Sequence, residues 1–211
     1  MLAILFWFVI VMYKKDRCTQ YKDTWIKNVR ERVETRAEDK EEKDIMSEKL
    51  RVGILGATGM VGQRFISLLE NHPWFEVVTV AASPRSAGKT YEEAVGGRWK
   101  MDTPMPEGVK NLVVMNVNEV EKVAATVDFV FSAVDMSKEE IKKIEEEYAK
   151  TETPVVSNNS AHRWTPDVPM VVPEINPEHF DVIESQKKRL EQHADLSLLN
   201  QTALSRVMLL Y

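Results

Sequence analysis

The sequence of 211 residues has one cysteine, no long apolar run and no surplus of basic charge. The single cysteine, Cys18, excludes an internal disulfide framework. A membrane-spanning helix needs about 20 apolar residues, and the apolar stretch at residues 1–13 is too short for one. The net charge of −5 argues against nucleic acid as a partner. An apolar content of 44% is typical of a globular protein with a core.

The first 45 residues differ in character from the rest of the chain. Residues 1–13 are apolar, Lys14 and Lys15 follow them, and residues 16–49 are densely charged. We expect residues 1–45 to be an extension outside the fold, with Met46 as the natural start of a cytoplasmic protein. A marginal membrane contact through the apolar N-terminus, which would tether the protein, is the alternative.

A glycine-rich turn at residues 51–62 is the strongest local pattern. An apolar run at residues 52–55 predicts a buried strand, and apolar residues recur at helical spacing from position 61 to position 69. The glycines of the turn recur every three residues, at Gly56, Gly59 and Gly62. Such glycines permit a tight turn and a close approach of the backbone to a pyrophosphate at a helix start. The pattern predicts a dinucleotide site, with a tight turn that binds no ligand as the alternative.

The loop after the second predicted strand indicates which dinucleotide is bound. Residues 75–82 are rich in valine and predict that strand, and residues 83–89 follow it without an acidic side chain. An acid here would hold a ribose 2′-hydroxyl, whereas an arginine accepts a 2′-phosphate. Hydroxyls and positive charge suited to a phosphate are present at Ser83, Arg85, Ser86 and Lys89. We therefore predict NADP rather than NAD, and an ordinary polar loop is the alternative.

Strands and helices alternate along the rest of the body. Short strands are predicted at residues 111–115, 128–134 and 153–157, and helices at residues 118–125 and 137–150. Ser137 and Glu140 have the spacing of a capping box, and residues 90–110 are predicted to be a long loop. This order predicts an α/β fold, a doubly wound and mainly parallel sheet of the Rossmann type with helices on both faces.

A polar cluster at residues 157–164 follows the last of these strands. Ligands of doubly wound sheets bind beyond the carboxyl ends of the strands. The amides, the hydroxyls and Arg163 in this cluster suit a cofactor amide or a substrate phosphate. Capping and pairing within the fold is the alternative role for His162 and Arg163.

Five motifs occur in order at residues 56–65, 83–89, 131–133, 157–163 and 172–177. Together they resemble aspartate-semialdehyde dehydrogenase, in its archaeal and fungal branch, over about residues 46–189. The resemblance implies an NADP(H)-binding domain of an enzyme that reductively dephosphorylates β-aspartyl phosphate with NADPH, in the biosynthesis of lysine, threonine and methionine. With the glycine pattern, it implies cofactor contacts at Gly56, Thr58, Gly59, Met60, Val61, Ser83, Arg85, Ser86 and Ser132. It further implies substrate-phosphate contacts at Asn159 and Arg163. We predict no metal site.

The resemblance also makes an absence visible. The family's nucleophile is a cysteine in a Pro-Asn-Cys-Ser/Thr motif, and no cysteine follows position 18 here. We therefore predict no catalytic residue in this chain and no activity for the chain alone. We interpret residues 190–211 as a divergent tail, a weak helix or out-of-frame sequence, and expect the catalytic and dimerisation domain of this homo-oligomeric family to be absent. The alternatives are a malonyl-CoA reductase-type relative and a non-catalytic nucleotide-binding or interaction module.

Overall fold

The computed structural model describes residues 49–171, 176–190 and 198–200, which build one parallel sheet covered by helices. The six strands are β1 Leu50–Leu55, β2 Phe75–Ala82, β3 Met115–Asn116, β4 Phe129–Ser132, β5 Val155–Ser157 and β6 Leu198–Asn200. They pair in the order β3-β2-β1-β4-β5-β6, and every pair is parallel. The predicted α/β fold of the doubly wound, Rossmann type is confirmed.

Helices connect the strands. They are α1 Met60–Leu69, α2 Tyr91–Val95, α3 Glu107–Lys110, α4 Val120–Ala124, α5 Lys138–Lys150 and α6 Ile183–Leu190, with a 3₁₀ helix at Pro177–Val182 before α6. The sheet separates two apolar clusters. One joins α1 to β1 and β4 and includes Phe65, which stacks on Phe131 with ring centroids 4.7 Å apart. The other joins α5 to Val130 and Val155. Helices therefore cover both faces, as the alternation predicts.

The helix α5 forms as its sequence predicts. The Ser137 hydroxyl accepts a hydrogen bond from the Glu140 N–H, and the Glu140 carboxylate accepts one from the Ser137 N–H, which completes the capping box. Ile141, Ile144 and Tyr148 are buried, as expected from their spacing. Glu145 is buried on the same helix, although it is a carboxylic acid.

The prediction of one long loop over residues 90–110 is wrong, because that segment contains α2 and α3. Thr90 and Glu93 form a second capping box, and the Gly96 N–H bonds the Glu92 carbonyl to end α2. Helices of four and five residues are too short to show an apolar period, and only α2 has a capping box that its sequence could have revealed.

Two predicted elements form elsewhere. The third strand begins at Met115, because backbone groups of the preceding residues bond the loop after β2: the Val114 N–H bonds the Lys89 carbonyl and the Tyr91 N–H bonds the Leu112 carbonyl. In the tail, for which a weak helix and out-of-frame sequence were the two alternatives, Leu198–Asn200 forms β6 beside β5. The position of a domain boundary near residue 189 stays a prediction.

The expectations for residues 1–45 concern a segment outside the described residues, and so do those for most of residues 190–211. Within the described part of the chain, no helix has the length and apolarity required to cross a membrane.

Candidate functional site

The turn between β1 and α1 needs glycine at two positions for packing alone. Gly56 has a φ of +78°, and a Cβ on it would lie 2.4 Å from the Ala133 carbonyl oxygen. A Cβ on Gly62 would lie 2.3 Å from the Gly56 carbonyl oxygen. These two glycines let the start of α1 press against the turn, and the turn against the end of β4.

The third glycine of the turn, Gly59, is not required by packing. A Cβ there would meet only the Gly56 carbonyl oxygen, at 3.4 Å, and Gly59 is exposed. It is the N-cap residue of α1 and makes no side-chain cap hydrogen bond. The first N–H groups of a helix have no intrahelical partner and attract an anion. Gly59 therefore keeps the helix start open to a ligand.

The neighbouring peptide also presents a donor. Among the described residues, nothing accepts a hydrogen bond from the Thr58 N–H, whereas the Gly56 and Ala57 N–H groups both bond the Ala81 carbonyl at the end of β2. The Gln63 side chain donates to the Thr58 carbonyl at 3.0 Å and to the Arg98 carbonyl at 3.1 Å, and it accepts from the Lys100 N–H. The turn is thus held by hydrogen bonds to neighbouring segments, while the Thr58 N–H stays available for a ligand.

The predicted 2′-phosphate loop begins close to the Ala81 carbonyl that holds the glycine turn, because Ser83 follows the last residue of β2. Ser83, Arg85 and Lys89 are exposed and Ser86 is half-buried. The loop is closed by a hydrogen bond from the Ser86 N–H to the Ser83 carbonyl, 2.9 Å long. Within the described ranges, neither Arg85 nor Lys89 forms an ion pair. Two cations without a protein partner beside the glycine turn suit a phosphate.

Ser132, predicted to contact the cofactor, lies at the end of β4 with its side chain fully buried. Its hydroxyl donates to the Glu145 Oε1 atom at 2.6 Å. The hydroxyl of Ser157, at the end of β5, donates to the same oxygen at 2.6 Å. The hydroxyl of Ser132 is therefore committed within the protein, and its carbonyl already accepts a hydrogen bond from the Asn158 N–H.

Asn159, predicted to contact a substrate phosphate, belongs to the same cluster. Its side-chain N–H₂ group donates to Glu145 at 3.0 Å and to Ser132 at 3.3 Å, and its backbone N–H bonds Ser157. A phosphate needs donors, and these donors of Asn159 are already used. Burial raises the pKa of the Glu145 carboxyl, and the hydrogen bonds from Ser132, Ser157 and Asn159 partly oppose that rise.

The two basic residues of the polar cluster separate into different roles. His162 is buried, its ring Nδ1 lies 3.2 Å from the Thr165 hydroxyl, and burial lowers its pKa. This is the structural role that the sequence left open. Arg163 is half-buried, and its side chain has no partner within the described residues. Of the two basic residues, Arg163 is therefore the one whose side chain is available to bind an anion.

Sequence reasoning missed two buried residues that organise this edge of the sheet, Glu145 and Gln63. A signal existed for Glu145, because it lies on the apolar stripe of α5 that contains Ile141, Ile144 and Tyr148. An acid on a buried stripe requires internal partners. Gln63 gave no comparable signal, since glutamine is common on exposed helix faces.

Comparison with known families identifies the domain. Residues 51–183 match the family described as semialdehyde dehydrogenase, NAD binding domain. The chain belongs to this family. The match covers more than half of the sequence, from the first residues of β1 to the start of α6.

Individual relatives agree with the family. Aspartate-semialdehyde dehydrogenase of Methanothermobacter thermautotrophicus is 47% identical over 142 residues, which cover 66% of this chain and 38% of that protein. The enzyme of Aspergillus fumigatus is 46% identical over 140 residues, which cover 66% of this chain and 37% of that protein. The chain thus spans less than two-fifths of the length of these relatives. The resemblance inferred from the motifs is confirmed.

A solved structure agrees as well. The structure described as aspartate semialdehyde dehydrogenase with NADP from Candida albicans superposes with a TM-score of 0.62 at 38% identity. The superposition covers 72% of this chain and 42% of that chain. The family assignment makes this a nucleotide-binding domain, in agreement with the geometry of the glycine turn.

Proposed function

We propose that this chain is the NADP-binding domain of an aspartate-semialdehyde dehydrogenase, which reduces β-aspartyl phosphate with NADPH and releases phosphate. The observation that carries the choice of NADP is the loop at residues 83–89. It has no acid, it follows β2 directly, and Arg85 and Lys89 have no ion-pair partner among the described residues. An arginine in this place selects a 2′-phosphate over a 2′-hydroxyl.

The residues present fit a dinucleotide. A pyrophosphate would lie at the start of α1, where Gly59 leaves space and the Thr58 N–H is unbonded within the described residues. Thr58, Met60 and Val61 would contact it through the main chain, and Ser83, Arg85 and Ser86 would hold the 2′-phosphate. When bound, NADPH supplies the hydride for reduction. This chain's residues would bind and orient it.

Arg163 is the residue that we propose for a substrate phosphate. It follows β5 at the carboxyl edge of the sheet, its side chain has no partner in the described part of the chain, and guanidinium groups match phosphate geometry. Asn159 would contribute by holding the segment through Glu145 rather than by donating to the phosphate.

We further propose that these 211 residues bind the cofactor without turning substrate over. The acyl-transfer chemistry of the family requires a thiolate next to a base. The only cysteine is Cys18, which lies outside the described residues. The lack of any cysteine after Cys18 also favours a second candidate function, a non-catalytic nucleotide-binding module, over a malonyl-CoA reductase-type relative.

A cofactor titration tests the binding proposal. NADPH and NADH are titrated into the purified chain, and binding is followed by nicotinamide fluorescence. We expect NADPH to bind at least about tenfold more tightly, as a lost charge-assisted hydrogen bond predicts. Equal affinities would contradict the choice of NADP, and the absence of binding by both would contradict the dinucleotide site.

Sequencing the gene beyond codon 189 separates the two candidate functions. A Pro-Asn-Cys-Ser/Thr motif in a neighbouring frame would support the domain of an enzyme. An uninterrupted frame without that motif, in a protein that binds NADPH, would support the non-catalytic module.

A further inference from the structure

The hydroxyl of Tyr91 reaches the glycine turn from a different part of the chain. It donates a hydrogen bond of 2.8 Å to the Ala57 carbonyl oxygen, across 34 positions of sequence. Both residues are fully buried. Burial raises the pKa of Tyr91 far above its usual value, so the hydroxyl remains a donor at any pH at which the protein is studied.

This bond fixes more than one carbonyl, because a peptide unit is planar. The Ala57 carbonyl and the Thr58 N–H belong to the same trans peptide and point in opposite directions. The hydrogen bond from Tyr91 keeps the Ala57 carbonyl pointing into the core, so the Thr58 N–H points away from the core. Among the described residues that N–H has no acceptor, and it lies next to the exposed Gly59.

Tyr91 is also joined to the predicted 2′-phosphate loop. It follows Lys89 by two residues, and α2 is held in place by the capping box of Thr90 and Glu93. The Tyr91 N–H bonds the Leu112 carbonyl and the Lys89 carbonyl accepts from the Val114 N–H, which fixes both sides of the loop's end. One tyrosine therefore connects the loop for the 2′-phosphate with the turn for the pyrophosphate.

We propose that Tyr91 is a positioning residue of the dinucleotide site, which aims the Thr58 N–H at the pyrophosphate by holding the Ala57 carbonyl. The inference rests on the proposed cofactor site and adds a residue that contacts no part of the cofactor. Its action is on the pyrophosphate, which NADPH and NADH share. Loss of the hydroxyl therefore weakens both cofactors by the same factor, whereas loss of Arg85 weakens NADPH alone.

The chain supplies a matched control in Tyr148. This tyrosine is equally buried, and its hydroxyl donates a hydrogen bond of 2.9 Å to the Val117 carbonyl, which is outside the glycine turn. Tyr91→Phe and Tyr148→Phe each remove one buried hydroxyl and one bond to a carbonyl. Any cost that follows from a lost buried bond alone is common to both variants.

The experiment measures the dissociation constants of NADPH and NADH for the full chain and for both variants, with thermal melting to confirm that they fold. We expect Tyr91→Phe to bind both cofactors about five- to tenfold more weakly, as loss of one hydrogen bond predicts, and Tyr148→Phe to stay within about twofold of the wild type. Unchanged binding by Tyr91→Phe, or an equal loss in Tyr148→Phe, would overturn the inference.

A measurement on the unmodified chain avoids dependence on the variants. Amide hydrogen exchange of Thr58 is followed by NMR with and without NADPH, and we expect NADPH to slow it at least about tenfold, since the N–H gains an acceptor. Exchange that does not change while NADPH is bound would overturn the role of Tyr91 and leave the proposed cofactor intact. Failure of the wild type to bind either dinucleotide would overturn both.

Discussion

The Oε2 atom of Glu145 lies 3.9 Å from the Nε2 atom of His162, and both side chains are buried to 1% exposure or less. Neither atom has a hydrogen-bond partner within the described part of the chain. Burial raises the pKa of Glu145 and lowers that of His162, so both shifts favour the neutral forms. Both shifts therefore weaken ion pairing between Glu145 and His162 at the carboxyl edge of β4 and β5.

This arrangement predicts a pH dependence of stability. The pKa of Glu145 in the folded protein lies above its ordinary value of 4.5, so the folded state holds this proton more tightly than the unfolded state does. The stabilisation is complete below about pH 4.5 and is lost as the pH rises through the folded pKa. We expect Glu145→Gln, which keeps the acceptor oxygen and cannot ionise, to gain stability relative to the wild type as the pH rises.

Urea unfolding of the wild type and Glu145→Gln between pH 5 and pH 8 measures this difference. Glu147→Gln is the control, because Glu147 is an exposed residue of the same helix. Parallel pH profiles for the wild type and Glu145→Gln would contradict the raised pKa. Titration of His162 by NMR is expected to give a pKa below the ordinary value of 6.5.

Arg85→Ala is expected to lower the affinity for NADPH by a factor of about ten or more and to leave NADH binding within about twofold. The reason is the loss of a charge-assisted hydrogen bond to the 2′-phosphate, which NADH does not carry. Fluorescence titration measures both affinities. Lys150→Ala is the control. The helix α5 leads away from the carboxyl edge of the sheet, and this variant removes one exposed positive charge at its far end. Equal losses in the two variants would mean that net charge alone, and not Arg85, attracts the cofactor.

The glycines of the turn are expected to divide into two classes. Gly62→Ala places a Cβ 2.3 Å from the Gly56 carbonyl oxygen, so we expect it to destabilise the fold by about 2 kcal/mol or more. Gly59→Val meets no such obstacle and is expected to fold, but to bind NADPH at least about tenfold more weakly, because its side chain occupies the space next to the helix start. Thermal melting and titration together separate the classes. If Gly59→Val folds and binds NADPH with wild-type affinity, the result would contradict the cofactor site and support the alternative, a tight turn that binds no ligand.

The purified chain is expected to show no aspartate-semialdehyde dehydrogenase activity. Phosphate-dependent reduction of NADP with aspartate semialdehyde is the assay, followed by absorbance of NADPH. Loss of a covalent nucleophile removes several orders of magnitude of rate, and Cys18 is the only thiol available. Turnover that persists in Cys18→Ser would reveal another nucleophile and contradict our interpretation of the chain.

Local sequence patterns determined the elements of the nucleotide-binding edge. The alternation of short apolar strands with helices specifies a parallel sheet, because parallel strands need a crossover between them. The glycine spacing specifies the turn at residues 56–62, and a capping box specifies the start of α5 at Ser137. These features depend on residues within a few positions of one another, so the chain's local chemistry is sufficient to predict them.

The tertiary structure alone decided how distant residues meet at that edge. Glu145 bonds Ser132, Ser157 and Asn159, which come from two strand ends and a loop, and Tyr91 reaches Ala57 across 34 positions. Neither contact has a local signature, because each depends on which strands are neighbours and on their register. The same reason explains why the sequence could not show that the hydroxyl of Ser132, an expected cofactor contact, is buried and donates to Glu145. Period and spacing specify which elements form, and only their packing determines which polar groups remain free for a ligand.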